Sequence, residues 1–151
     1  MSVSQKCQYA LRALFELAKR DTVQLTAMAQ IAEAQAIPPK FLELILSELR
    51  QGGFVESHRG RGGGYILRAK ADELTVGTII RFVDGPVAPV KCVAGSGASD
   101  TTCTLYGNCA FVDMWSRARD AVASVYDNTT FQDLLEKERL GAEAKANTYC
   151  I

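Results

Sequence analysis

The sequence predicts a mainly α-helical fold with one small β-hairpin and a long helix in its C-terminal half. Three observations predict this fold class. Apolar residues recur every three or four positions over much of the first half. A stretch rich in glycine and arginine, residues 58–64, separates two short runs of strand-forming residues. Beyond residue 110 the apolar residues take a heptad spacing. With 151 residues, 48% of them apolar, the chain can bury a real core.

Three helices are predicted before the hairpin. Residues 6–19 have the apolar period of an amphipathic helix. Thr26 is a suitable N-cap for a second helix over residues 27–35. A third helix is expected at about residues 39–51, where Pro39 can occupy an early position at which a missing N–H costs little. Its core stripe consists of Leu42, Ile45, Leu46 and Leu49.

The hairpin follows directly, because Gly52 and Gly53 end the third helix. Residues 54–57 and 65–67 are the expected strands, and the tip between them is basic. Two short helices followed by a basic hairpin are typical of a winged helix-turn-helix, in which the second helix enters the major groove. The wing is expected along the DNA backbone or in the minor groove, where arginine is favoured electrostatically. The candidate DNA-binding residues are Lys40, Glu43, Ser47, Arg50, Ser57, His58, Arg59 and Arg61. A flexible hairpin without a ligand is the alternative.

Charge and composition narrow the class of protein. Residues 1–70 carry ten Lys and Arg against six Asp and Glu, a net +4, whereas residues 71–151 carry −4, so the first half can face a polyanion. No apolar stretch reaches the length of a membrane span and no signal peptide is evident, which predicts a cytoplasmic protein. The sequence shows no nucleophile paired with a base, so an enzyme is not expected.

The second half begins with a short helix at residues 75–83 and a loop rich in Gly, Ser, Thr and Pro. A long helix over residues 110–127 then presents a seam, and its expected partner is a second copy of the chain; packing against the first helix is the alternative. Thr129 and Gln132 predict a capping box for a last helix ending at Leu140. The seam residues are Phe111, Trp115, Ala118, Val122 and Val125.

The predicted organisation is therefore a winged helix-turn-helix over residues 1–84 and a cysteine-bearing loop over 85–109. The dimerisation helix and the short last helix occupy residues 110–140, and residues 141–151 form a flexible tail.

Five cysteines form an odd set in a chain without an export signal, which favours free thiols or metal ligands over disulfides. Cys92, Cys103 and Cys109 share one loop, with ten and five residues between them. Thiolates are soft ligands for iron–sulfur clusters and zinc. From spacing alone, a cluster, a zinc ion, redox-active thiols and inert cysteines all remain open. Cys7 and Cys150 lie far from this loop in sequence.

Four features of the sequence occur together: KCQYALRALFELA in the first helix, IPPKFLELILSELRQGGFVES in the third helix and strand, RGRGGGY in the wing, and the three later cysteines. With these features, which span residues 4 to about 135, the chain resembles the IscR and NsrR type of winged-helix regulators, the Rrf family. The resemblance implies a homodimer that binds double-stranded operator DNA. It also implies that Cys92, Cys103 and Cys109 hold a [2Fe-2S] or [4Fe-4S] cluster.

The sequence departs from this family at the fourth cluster ligand. Relatives use a histidine three residues after the third cysteine, where this chain has Val112, or an acid of the partner's first helix, where it has Gln8 and Tyr9. Cys7 on the first helix is the candidate fourth ligand, with a small buried hydrophobe as its alternative role. The expected function is transcription regulation, in which the cluster senses iron, redox conditions or nitric oxide and its state changes operator binding. A cluster-free regulator that uses thiol chemistry or a protein partner is the alternative.

Overall fold

A computed structural model describes residues 2–20, 24–95 and 103–148, without the side chains of residues 146–148. It confirms the mainly helical fold with one hairpin. The helices are α1 (Gln5–Lys19), α2 (Met28–Gln35), α3 (Pro39–Gln51), α4 (Val76–Asp84), α5 (Val112–Asp127) and α6 (Phe131–Thr148). The strands are β1 (Val55–His58) and β2 (Gly64–Leu67), and a 3-10 turn occupies Lys91–Val93. No described helix combines the length and the apolar character needed to span a membrane.

Helix α1 is the centre of the main core. Ser4 caps it by accepting a hydrogen bond from the Cys7 backbone N–H at 3.1 Å. Its apolar face packs against α2, α3, α4, α6 and the hairpin. The largest fully buried side chains of this core come from α1, α2, α3, α4, β1 and the start of α6, which explains why these elements form one unit.

The helix-turn-helix consists of α2 and α3, joined by a tight turn at Ala36 with φ of 48°. The predicted cap at Thr26 is wrong, because Ala27 holds the cap position, where its N–H donates a 3.1 Å hydrogen bond to Gln30 Oε1. The backbone of Thr26 instead exchanges two hydrogen bonds of 2.9 Å with Tyr65 of β2. The residue before α2 is thus used to attach the wing to the helix-turn-helix.

The hairpin is short and antiparallel, with Val55 opposite Leu67 and His58 opposite Gly64. Val55 and Leu67 are buried, so one end of the hairpin belongs to the main core. The tip contains Gly60 and Gly62 at φ of 107° and 86°, a conformation that side chains other than glycine rarely adopt. Arg59 and Arg61 therefore project from a tip with little other side-chain bulk.

Helices α5 and α6 differ from the sequence prediction at their ends. Helix α5 begins at Val112 rather than at residue 110. The capping box of α6 uses Thr130 and Asp133 rather than Thr129 and Gln132: the Asp133 N–H donates to Thr130 Oγ1 at 3.1 Å and the Thr130 N–H to Asp133 Oδ2 at 2.8 Å. Helix α6 also continues to Thr148, eight residues beyond the predicted end. Alanine, glutamate and lysine beyond Gly141 are strong helix formers, which outweigh one glycine. Residues 149–151, with Cys150, lie outside the described part of the chain.

Candidate nucleic-acid interface and cysteine segment

The outer face of α3 and the wing enclose an open cleft of about 490 Å³. Six of the eight candidate DNA-binding residues line it, whereas Lys40 and Arg61 lie outside it and are exposed. The six residues are Glu43, Ser47, Arg50, Ser57, His58 and Arg59. The tertiary structure therefore brings residues from two separate elements together on one surface.

The positive charges of this surface are available to a ligand. Among the described residues, no ion pair involves Lys40, Arg50, Arg59 or Arg61. Most other basic side chains on the body are paired, as in Lys6–Glu48 at 3.0 Å and Lys19–Glu138 at 2.9 Å. Unpaired cations around an open cleft can neutralise phosphates, and an arginine can donate two hydrogen bonds to guanine.

Close backbone contacts hold the wing beside α3. A Cβ at Gly64 would lie 2.5 Å from the Thr26 carbonyl oxygen, and a Cβ at Gly63 would collide with the His58 carbonyl. Glycine at these two positions is therefore required by the approach of the wing to the start of α2 and by the turn itself. The contact between Gly64 and Thr26 joins residues far apart in sequence, so no local pattern could have predicted it.

The three loop cysteines all lie in segments that adjoin α5, but they are not assembled into a site. Cys92 is half-buried in the 3-10 turn, which packs against α5 and whose Val93 carbonyl accepts a 2.9 Å hydrogen bond from Arg119. Cys103 is exposed, and Cys109 is half-buried three residues before α5. Within the described ranges, no three His, Cys, Asp or Glu residues are grouped closely enough to hold a metal ion. Residues 96–102 of the predicted loop lie outside those ranges.

Cys7, the candidate fourth ligand, lies in the core of the single chain. Its side chain is fully buried in a second, smaller core cluster with Ile80 and Val87. Burial, followed by the negative charge of Asp84 and a hydrogen bond to it, raises the pKa of the Cys7 thiol to about 12. A metal ion bound by Cys7 would have to displace this proton and reach a side chain that lies in the core. The fourth-ligand role and the alternative role, a small buried hydrophobe, both stay predictions.

Helix α5 has no buried residue in this single chain, and its two apolar faces differ. Val122 and Tyr126 pack on the second core cluster, so Val122 contacts its own chain rather than an open seam. Phe111, Met114 and Val125 are 62%, 42% and 63% exposed. Together with Ala118 and Ala121 they form the outward heptad 111, 114, 118, 121 and 125.

The outward heptad of the single chain has Met114 and Ala121 where the predicted seam has Trp115 and Val122, and the seam itself stays a prediction. Both readings have steps of three and four, so the periodicity of the sequence could not choose between them.

A family model described as "Rrf2: Iron-dependent Transcriptional regulator" matches residues 3–137. The transcriptional regulator CymR of Bacillus subtilis (strain 168) is 36% identical over 134 residues, which are 89% of each chain. The regulator IscR of Pectobacterium carotovorum subsp. carotovorum (strain PC1) is 31% identical over 93% of this chain and 82% of its own. The solved structure of CymR, titled the global cysteine regulator of B. subtilis, superposes with a TM-score of 0.72 at 34% identity and covers 91% of this chain and 98% of that one.

These relatives are transcription regulators and not enzymes, and they cover the helix-turn-helix, the wing and α5 alike. The chain belongs to the Rrf2 family of DNA-binding transcription regulators.

Proposed function

We propose that the chain binds operator DNA with α3 in the major groove and the wing along the adjacent backbone. The observation that carries this proposal is the open cleft between α3 and the wing, which collects Arg50 and Arg59, and neither arginine forms an ion pair with another described residue. Glu43 in the same cleft is an acceptor suited to the amino group of cytosine. Lys40 and Arg61, which are exposed outside the cleft, are suited to phosphates. Operator binding would place the protein in the cytoplasm, with the DNA.

The test is selection of a binding site from random duplex DNA, followed by titration of the selected duplex at several salt concentrations. Sequence-specific binding with a steep salt dependence is the expected result, because each neutralised phosphate releases counterions. Equal affinity for all duplexes would contradict the assignment of α3 to base reading.

The second element of the proposal is a homodimer formed through α5. Large apolar side chains on the outward heptad are exposed in the single chain, although solvated helices seldom present such a stripe. A second copy offers a matching stripe, and a two-fold dimer would present two helix-turn-helix units to two half-sites. Sedimentation of the full chain tests the dimer, and a monomer at all concentrations would refute it.

The third element is a sensing role for Cys92, Cys103 and Cys109, with an iron–sulfur cluster as the group that they hold. Three thiols near one helix supply the soft donors that such a cluster needs, and the matching family is described as iron-dependent. The fit is one of donor chemistry, because the described residues do not bring the thiols together. A bound cluster would supply sensitivity to iron and redox conditions. The exposed Cys103 favours a second candidate, a cluster-free thiol switch.

Anaerobic purification with an absorption spectrum and analysis of iron and sulfide distinguishes the two candidates. We expect a coloured protein that loses iron and sulfide together when Cys92, Cys103 or Cys109 is changed to alanine, because a cluster loses affinity steeply without one ligand. The Cys150→Ala variant is the matched control and should keep its iron. Colourless protein whose operator affinity changes on oxidation would support the thiol switch instead.

A further inference from the structure

Helix α3 exposes two large apolar side chains that belong neither to the core nor to the cleft. Phe41 is 59% and Leu44 is 65% exposed. The core stripe of α3 accounts for Leu42, Ile45, Leu46 and Leu49, and the lining of the cleft includes neither Phe41 nor Leu44. In the sequence, the pair is visible as two large apolar residues outside the core stripe of α3.

The pair lies beside the residues proposed to face DNA. At about 100° of rotation per residue, Leu44 is about 40° from Lys40 and about 60° from Ser47 around the helix axis. Phe41 lies about 60° further round from Leu44, on the side of α3 away from the cleft. A helix in the major groove thus presents a polar edge toward the wing and an apolar edge toward the opposite side of the groove.

Helix α1 supports and borders this apolar edge. The Tyr9 and Phe41 rings lie 6.4 Å apart in a tilted arrangement, and the Arg12 guanidinium lies 5.7 Å from the centre of the Tyr9 ring. An apolar patch with a cation at its border matches a polyanion that carries apolar groups. In the major groove the apolar group is the C5-methyl of thymine, which Phe and other apolar side chains contact.

We propose that Leu44 and Phe41 read thymine methyl groups, so that this chain selects operators with thymine at the base pairs beneath them. The inference rests on the proposed DNA binding and deepens it, because it names a base and the side chains that recognise it.

The test uses the full chain and the duplex selected from random DNA. Each thymine is replaced in turn by deoxyuridine, which removes only the methyl group, and affinity is measured by fluorescence anisotropy at one salt concentration. A buried methyl is worth about 0.8 kcal/mol, or about fourfold in affinity, so we expect about a fourfold loss at one or two positions in each half-site. Leu44→Ala should remove the effect at one position and Phe41→Ala at another. Leu140→Ala, a 55% exposed leucine on α6, is the matched control and should leave both unchanged.

The outcomes separate this inference from the proposed function. Specific binding in which deoxyuridine has no effect, or in which its effect persists in both variants, overturns the methyl contacts and leaves DNA binding intact. Variants that change sedimentation but not the deoxyuridine effect would identify the patch as a protein contact and overturn the inference equally. Failure to select any sequence would contradict the proposed base reading itself.

Discussion

Replacing Arg59 and Arg61 by alanine, singly, should separate base reading from phosphate contact. Arg59 lines the cleft beside Arg50 and Ser57, whereas Arg61 stands exposed at the tip and outside the cleft. Neither side chain has an ion-pair partner among the described residues, so neither substitution breaks an ion pair of the fold. The two arginines should therefore contribute to DNA binding in different ways.

The type of DNA contact that each arginine makes sets the expected loss of affinity. If Arg59 reaches a base edge, its loss should cost about 1–3 kcal/mol and relax selectivity at one base pair of each half-site. If Arg61 meets phosphate, its loss should weaken binding to all sequences alike. The slope of log affinity against log salt should then become shallower by about 0.9 per contact, or about 1.8 for a dimer.

The assay is anisotropy titration of the selected operator and of a scrambled duplex at four or more salt concentrations. Arg139→Ala is the matched control, because this arginine lies on α6 and pairs with Glu143 at 2.8 Å, away from the cleft. Equal operator affinity, selectivity and salt slope in both wing variants would refute the assignment of the wing to DNA. A change of slope alone in Arg59→Ala would show that this residue also contacts phosphate.

Three further results are expected. Val125→Glu should shift the protein toward monomer in sedimentation without unfolding it, because Val125 is 63% exposed in the single chain. Ser124→Glu, at an exposed neighbouring position, is the control, and a Val125→Glu protein that stays dimeric would place the interface elsewhere. In the cluster-free protein, iodoacetamide at pH 8 should modify the exposed Cys103 quickly and the buried Cys7 only after unfolding, because the pKa of the Cys7 thiol is about 12. Rapid labelling of native Cys7, measured by peptide mass spectrometry, would contradict its burial. Gly64→Ala should lower the free energy of unfolding by about 1–3 kcal/mol, because the added Cβ collides with Thr26. Gly141→Ala on α6, where the added Cβ meets open space, is the control and should raise it by up to about 1 kcal/mol. A Gly64→Ala protein with the thermal midpoint of the unchanged chain would refute the contact.

The Cys7 thiol also links stability to pH. Its pKa is raised from an ordinary 9.0 to about 12 in the folded chain, so the folded state holds this proton more tightly than the unfolded state does. The resulting stabilisation is fully present below pH 9 and is lost as the pH rises toward 12. The Cys7→Ala variant should lack this part of the alkaline loss of stability.

Local signals in the sequence were sufficient for the helices and the hairpin. Pro39 and Gly52 bound α3, the period of three and four identifies its buried stripe, and glycines with two arginines identify the tip of the wing. Each of these signals acts within a few residues of the chain. The eight candidate DNA-binding residues could be chosen in the same way, because they lie on one helix face and one hairpin.

Only the tertiary structure decided which of several equivalent local patterns was used. It selected Met114 and Ala121 over Trp115 and Val122 for the outward face of α5, since Val122 packs against Ile80 and Val87 of the same chain. It used the backbone of Thr26 for the wing and moved the cap of α2 to Ala27. It buried the side chain of Cys7 beside Asp84, a residue far away in sequence. In each case the deciding contact joins distant residues, and the energy of such contacts is not encoded in the local period of the sequence.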